Sequence, residues 1–162
     1  MKKFGIQLVF LIILIFVASQ FAFNREGSTN LFGSSNNLNY LLKINQKVMN
    51  VELADTPAKR QQGLSNRESI ATDSGMLFLF DTQEKHRFWM KGMKIPLDLV
   101  WIKDQRVVEI NTHVPPPEPG TSDDQLQVYE SFNPIDQVLE VNSGFTDSNN
   151  IKVGDTVELM QQ

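Results

Sequence analysis

From Lys47 to Leu53 apolar and polar positions alternate, with Met49, Val51 and Leu53 on one face and Val48, Asn50 and Glu52 on the other. A two-residue period of this kind predicts a half-buried strand. Thr56-Pro57 then marks a helix start, with Asp55 or Thr56 as cap and Pro57 at the first helical position. The helix is short and ends near Gly63. Met76 to Phe80 is a continuous apolar run of strand length between turn residues. Three more strands are predicted over Arg87–Lys91, Asp98–Lys103 and Arg106–Asn111, the last two joined by a tight turn at Asp104-Gln105. His113 to Gly120 holds four prolines and reads as an extended surface loop. Gln137–Val141 is a further strand, residues 142–150 are turn-rich with one helical turn, and Thr156–Met160 is the last strand.

Seven or so short strands with frequent turns, and only one or two short helices, define an all-β class: a compact β-sandwich or barrel. The domain is expected over residues 40–162. At that size it buries about two thirds of its unfolded surface, enough for a stable core.

Ahead of the domain, Met1-Lys2-Lys3 precedes an apolar run from Phe4 to Phe23, broken only by Gln7, Ser19 and Gln20. A run of this length spans a hydrocarbon core of about 30 Å as a helix, and the two lysines place its start in the cytoplasm. Residues 1–23 are therefore expected to be a membrane anchor. The small residues Val17-Ala18-Ser19 also suit a signal peptidase, but Phe21, Ala22 and Phe23 prolong the run beyond them. Either reading exports the domain, to the cell membrane or as a secreted protein. Residues 24–39, rich in Asn, Ser and Gly, read as a flexible linker.

Composition narrows the chemistry. The chain has no cysteine, which excludes disulfides, thiolate metal sites and a cysteine nucleophile. Of the 15 basic and 19 acidic residues, 3 and 1 fall in residues 1–39, leaving 12 and 18 in the domain, a net charge of −6. That balance argues against nucleic acid, or an anionic membrane surface, held by bulk charge.

The segment Phe88-Trp89-Met90-Lys91-Gly92-Met93-Lys94-Ile95-Pro96-Leu97-Asp98 mixes aromatic, thioether and charged groups. Strand alternation puts Arg87, Trp89 and Lys91 on one face and His86, Phe88 and Met90 on the other, with Phe88 and Met90 toward the core. Trp89 then offers a stacking or cation–π platform beside the charge of Lys91. An amphipathic tryptophan covering a sheet edge is the plainer reading. Asp98 lies in an otherwise apolar run and needs a partner: Lys91, Lys94, Arg67 or backbone donors at a turn. Glu140, within Val138-Leu139-Glu140-Val141, poses the same question. Asp98, Glu109 and Glu140 all fall on predicted strands, so an acid/base pair is open on this reading. His86 and His113 are too far apart in sequence for a zinc pattern. His86, Trp89, Met90 and Met93 resemble the ligand set of small periplasmic copper(I) chaperones, whose thioethers suit that ion. No nucleophile elbow or phosphate-binding glycine loop is present.

These segments together resemble the domain of unknown function 192 family, also called uncharacterised protein family 0127. The stretches that carry the resemblance are 54–64 with Arg67, Gly75-Met76-Leu77-Phe78-Leu79-Phe80, Phe88-Trp89-Met90-Lys91 and Ile95-Pro96-Leu97-Asp98-Leu99. Further on come Val107-Val108-Glu109-Ile110, 139–145 and Ile151-Lys152-Val153-Gly154-Asp155. The resemblance implies a compact β-sandwich or barrel, commonly behind a signal or anchor, with no established activity. It implies recurrent polar positions at Arg60, Arg67, Lys91, Asp98 and Glu140, beside Trp89. Two departures stand out: Gly92-Met93 replaces the Asn-Thr usual after Phe-Trp-Met-Lys, and the cysteine pair of many relatives is missing before Tyr129.

The sequence-based expectation is a membrane-tethered or exported β-domain that binds a small ligand or envelope polymer without chemistry or cofactor. Arg60, Arg67, Trp89, Lys91 and Asp98 form the expected site. An enzyme using paired carboxylates and a copper(I) module are the alternatives.

Overall fold

A computed structural model of the chain describes residues 40–160. The expected anchor over 1–23 and linker over 24–39 lie outside the described residues. Within them, no helix is long and apolar enough to cross a membrane.

The strands are β1 (Tyr40–Ile44), β2 (Lys47–Ala54), β3 (Ser74–Glu84), β4 (Arg87–Trp89), β5 (Leu97–Lys103), β6 (Arg106–Val114), β7 (Val128–Glu130), β8 (Ile135–Asn142) and β9 (Val157–Met160). Two short α-helices, α1 (Pro57–Gln62) and α2 (Phe145–Ser148), and a 3-10 turn over Asp123–Gln125 join them. Seven strands form one sheet in the order β6-β5-β8-β3-β2-β1-β9, and β4 and β7 form a separate ribbon. The sheet curls until its edge strands meet at one corner. There Arg106 bridges Thr156, the Val107 amide donates to the Asp155 carbonyl at 2.9 Å, and the Val157 amide donates to Gln105 at 2.8 Å. The fold is mostly β, a seven-stranded half-barrel with few short helices.

One strand pair departs from the antiparallel pairing of all the others among the described residues. β2 and β3 pair in parallel, Val51 opposite Gly75 and Leu53 opposite Leu77. A parallel pair needs a crossover, and residues 55–73 supply it, with α1 inside. Thr56 caps α1, its hydroxyl accepting from the Lys59 amide at 3.3 Å, with Pro57 in the first turn. Gly63 ends it at φ 49°, a backbone state that side chains disfavour. The β5–β6 hairpin turns on Asp104 and Gln105, both at positive φ (49° and 60°). Two consecutive left-handed residues are what a two-residue hairpin matched to strand twist requires.

β5, β8 and β3 are buried on both faces, which explains their unbroken apolar runs. All seven strands contribute to a first core, including Leu42, Val51, Leu77, Val100, Leu139 and Val157. The opposite face carries a second core, among them Phe78, Leu99, Trp101 and Val138. Off-sheet residues complete that second core: Leu64 after α1, and Met90 and Met93 after β4. The β4–β7 ribbon, with Phe88 opposite Tyr129, packs there too. Trp101 is fully buried, and its indole N–H donates to Asn111 Oδ1 at 2.7 Å, so its polar atom carries no desolvation penalty.

At Gly75 the approach of β8 leaves no room for a side chain. A Cβ there would lie 2.5 Å from the Glu140 carbonyl oxygen and 2.9 Å from Val141 Cγ1.

Candidate functional site

α1, the turn after β4 and the Pro-rich loop after β6 rise around part of the second core's face and leave a cleft of about 750 Å³. Its aromatic lining is Phe78 and Phe80 from β3 with Phe88 and Trp89 from β4. The rings support one another: Phe78 and Phe88 meet edge-to-face at 5.0 Å, and Phe88 meets buried Trp101 the same way at 5.5 Å. These are the preferred offsets of aromatic pairs. Phe88 and Met90 turn inward, while Trp89 on the alternate face is 57% exposed, as the strand period requires.

At the base of the cleft stands Glu140, on β8 and only 6% exposed. Its Oε2 has no hydrogen-bond partner. Burial alone pushes its carboxyl up to about 8, with no neighbouring charge to oppose the effect. Glu140 is therefore a neutral carboxylic acid at pH 7, able to donate as well as accept a hydrogen bond. His86, also on the cleft, lies flat against Phe80 at 3.5 Å between ring centroids. Burial holds its imidazole below the usual histidine range. A hydrogen bond to the Thr82 backbone and the charge of Glu84 act the other way, and the Arg60 charge adds to the depression. His86 Nε2 is buried without a partner, so the neutral ring presents a lone pair there.

Arg60, Trp89 and Lys91 from the expected set come together on this cleft. Arg60, on α1, donates to the Leu79 carbonyl at 2.8 Å and lies 5.3 Å from the Phe80 ring centroid. Lys91 pairs with Asp123, in the 3-10 turn (Asp123–Gln125) that follows the Pro-rich loop. Gly92 follows at φ 68°, with the Asn66 amide donating to its carbonyl at 2.8 Å and Ser65 Oγ donating to that of Lys91 at 2.8 Å. The left-handed turn favours glycine at that position, and it fastens the Lys91 end of the cleft to the loop after α1.

The structure does not bring Arg67 and Asp98 to the cleft. Arg67 forms a two-pronged bond with Glu52, at 2.5 and 2.8 Å, which holds the Glu52 carboxyl below its ordinary range. Asp98 is fully buried on the opposite face of the sheet. Its partners are backbone and hydroxyl donors, not the lysines or arginine that its sequence neighbourhood offered. Oδ1 accepts from the His113 amide (2.9 Å) and the Gly144 amide (3.1 Å). Oδ2 accepts from the Thr146 amide (3.0 Å) and hydroxyl (2.7 Å). Burial works to raise the Asp98 pKa, but these four bonds outweigh it and hold the carboxyl below its usual value. Asp98 is a turn cap that ties β5 to the β6 end and to α2.

Glu140 and His86 line the cleft but are not among the five expected site residues; the family resemblance gives Glu140 as a recurrent polar position, and the copper(I) reading groups His86 with Trp89. Glu140 gave a signal, an acid inside an apolar run, but nothing local joined it to Trp89. That link needs β8 to lie between β5 and β3. Glu109 sits away from the cleft lining, accepting from the Phe132 amide at 2.9 Å. Among the described residues, no three His, Cys, Asp or Glu side chains cluster as a metal site.

A curled β-sheet whose second face carries one acid-floored aromatic cleft defines a compact, mostly-β domain. Residues 40–159 match the DUF192 family, described as "Uncharacterized ACR", and the chain belongs to that family. Two solved structures are similar to it. One is a candidate transcription regulator from Sinorhizobium meliloti 1021, with a TM-score of 0.66 and 29% identity over 74% of this chain and 92% of that one. The other is a protein of unknown function from Novosphingobium aromaticivorans DSM 12444, with a TM-score of 0.65 and 30% identity over 73% and 83%. Among curated proteins none matches the chain.

Proposed function

We propose that the domain is a non-catalytic binding module, exported or tethered to the membrane, whose cleft receives a small or extended ligand of the cell envelope. The observation that carries the reading is Glu140: a buried acid with an unpartnered oxygen at the base of an aromatic cleft. A core strand has no structural use for such a group, because an unsatisfied buried polar atom costs about 1–3 kcal/mol. The cost is recovered when a bound molecule supplies the missing partner. Export rests on the apolar run of residues 4–23 behind Lys2 and Lys3.

Acid/base catalysis by two carboxylates draws no support from the cleft. Asp98 lies on the other face of the sheet, and the cleft's other acid, Asp123, is held by Lys91. A role in transcription, the term used for the Sinorhizobium protein, draws no support from charge, because the domain's net charge of −6 disfavours contact with nucleic acid. A second reading, a copper(I) module, draws on His86, Trp89 and Met93 sharing the cleft. Titration with reduced copper distinguishes it, through quenching of Trp89 fluorescence that Met93→Leu removes.

The direct test is amide NMR of the protein mixed with oligosaccharide, peptide and amine probes. A ligand of the cleft shifts residues 60–66, 86–93 and 140 together. Shifts scattered over the surface, or none with any probe, refute a binding module.

A further inference from the structure

We infer that the cleft takes a neutral, hydroxyl-bearing ligand, a saccharide, with Glu140 and His86 as its polar anchors, the Phe80 and Phe88 rings as its apolar wall and Trp89 at its rim. The inference rests on the binding-module reading and narrows its ligand to one chemical class.

Two buried atoms on this cleft lack partners, Glu140 Oε2 and His86 Nε2. Protonated Glu140 offers a hydrogen and His86 Nε2 offers a lone pair, so the ligand must accept at one point and donate at the other. A hydroxyl does either, so a ligand carrying several hydroxyls can satisfy both.

Charge weighs against the other classes. An anionic ligand would meet a floor that is itself an acid, and two of the three lining cations are already engaged, Arg60 with the Leu79 carbonyl and Phe80, and Lys91 with Asp123, which leaves Arg87 on the exposed face of β4. A cationic ligand would suit Glu140 once that acid ionised. It would also lie beside His86, where the charge of Arg60 is already felt, and like charges in a partly desolvated cleft repel strongly. A neutral ligand meets neither penalty.

The aromatic lining fits the same class. A saccharide ring carries an apolar C–H face that packs on aromatic rings, and Phe80 and Phe88 line the cleft with Trp89 exposed at its rim. A peptide strand is served by a row of backbone donors and acceptors, whereas the buried side-chain atoms left without partners on this cleft are two isolated ones. The volume of about 750 Å³ is in the range that buries most of a small ligand.

The test uses the full chain, kept in a detergent without a sugar headgroup. Chitotriose, maltotriose and mannotriose serve as neutral probes, with lysine amide and tetra-alanine as cationic and peptide probes. Binding is followed by Trp89 fluorescence and by calorimetry in buffers of different ionisation enthalpy. The expected result is binding of at least one trisaccharide with no proton released. Glu140→Gln keeps the affinity within about threefold, because an amide also donates, and Glu140→Leu, which cannot, lowers it about tenfold or more. Trisaccharide binding weakens as pH rises past 8.

Lysine amide binding with proton release, lost in Glu140→Gln, overturns the saccharide inference but leaves the binding module standing. Tetra-alanine binding without any trisaccharide does the same. No binding by any probe, with the fold intact by Trp101 emission, overturns both.

Discussion

Asp98 and Glu140 sit on adjacent antiparallel strands one step out of register: Asp98 faces Val141, and Leu99 faces Glu140. Paired residues share a face, so the two buried acids point to opposite sides of the sheet. Asp98 meets four donors there and its pKa falls; Glu140 meets none on its Oε2 and its pKa rises. The same residue class, one position apart, becomes a structural anion on one side and a neutral acid beneath a cleft on the other.

Glu140 makes the unliganded domain less stable at neutral pH than at mild acid. Its folded pKa of about 8 lies above the ordinary value of 4.5, so between these values the native state holds a proton that the unfolded chain has lost. Stability therefore falls with rising pH across that window, with a slope approaching ~1.4 kcal/mol per pH unit, and levels off above it. Glu140→Gln removes the slope and stabilises the protein at pH 8 by on the order of 4 kcal/mol. Urea unfolding of both proteins at pH 5 and pH 8 measures the difference; equal pH dependence in the two would rule out a neutral Glu140.

Asp98 acts in the opposite direction. Its folded pKa is depressed, so its contribution is complete above its ordinary value of 3.8 and is lost as pH falls through the folded value. Asp98→Ala strands four donors and is expected to cost on the order of 3 kcal/mol or more, without changing ligand contact at the cleft. Thermal unfolding near pH 7 tests this. A loss below about 0.5 kcal/mol, the scale of ordinary surface changes, contradicts the capping role.

Gly75→Ala places a methyl 2.5 Å from the Glu140 carbonyl oxygen, in the strand pair that sets Glu140's position. Backbone cannot yield as a flexible side chain does, so a cost of about 1–3 kcal/mol is expected. Unchanged chemical unfolding of Gly75→Ala would show that β3 and β8 do not pack as closely as described.

The two tryptophans separate folding from recognition. Trp89→Ala removes an exposed ring and is expected to change stability by about 1 kcal/mol or less, while abolishing the cleft's response to ligand. Trp101→Phe removes a buried donor from Asn111 and changes stability with little effect on binding. Melting curves and ligand titrations on both variants check the pair; a large stability loss in Trp89→Ala would make that ring structural.

Most strands were legible because local periodicity survives into the fold. The runs 47–53, 76–80 and 98–103, the Thr56-Pro57 cap and the Asp104-Gln105 turn all follow from short-range chemistry. β1 and β7 were not seen, since β1 is five residues long, β7 three, and neither shows a decisive alternation. The parallel β2–β3 pair was hidden as well, because strand direction depends on a crossover and not on composition. At the site, Trp89 and Phe88 were separated correctly by strand alternation. Grouping Asp98 with Trp89 relied on nearness in sequence, whereas the strand places Asp98 on the opposite face. Glu140, remote in sequence, reaches the cleft through β8.

Carbon-13 NMR of the Glu140 carboxyl carbon through a pH titration reports whether a protonated acid stands at the base of the cleft. The Glu140→Gln spectrum assigns the resonance. A midpoint near 8 in the free protein, moving further upward when a neutral ligand occupies the cleft, is the predicted result. A midpoint near 4.5, the value of an ordinary glutamate, would contradict the account.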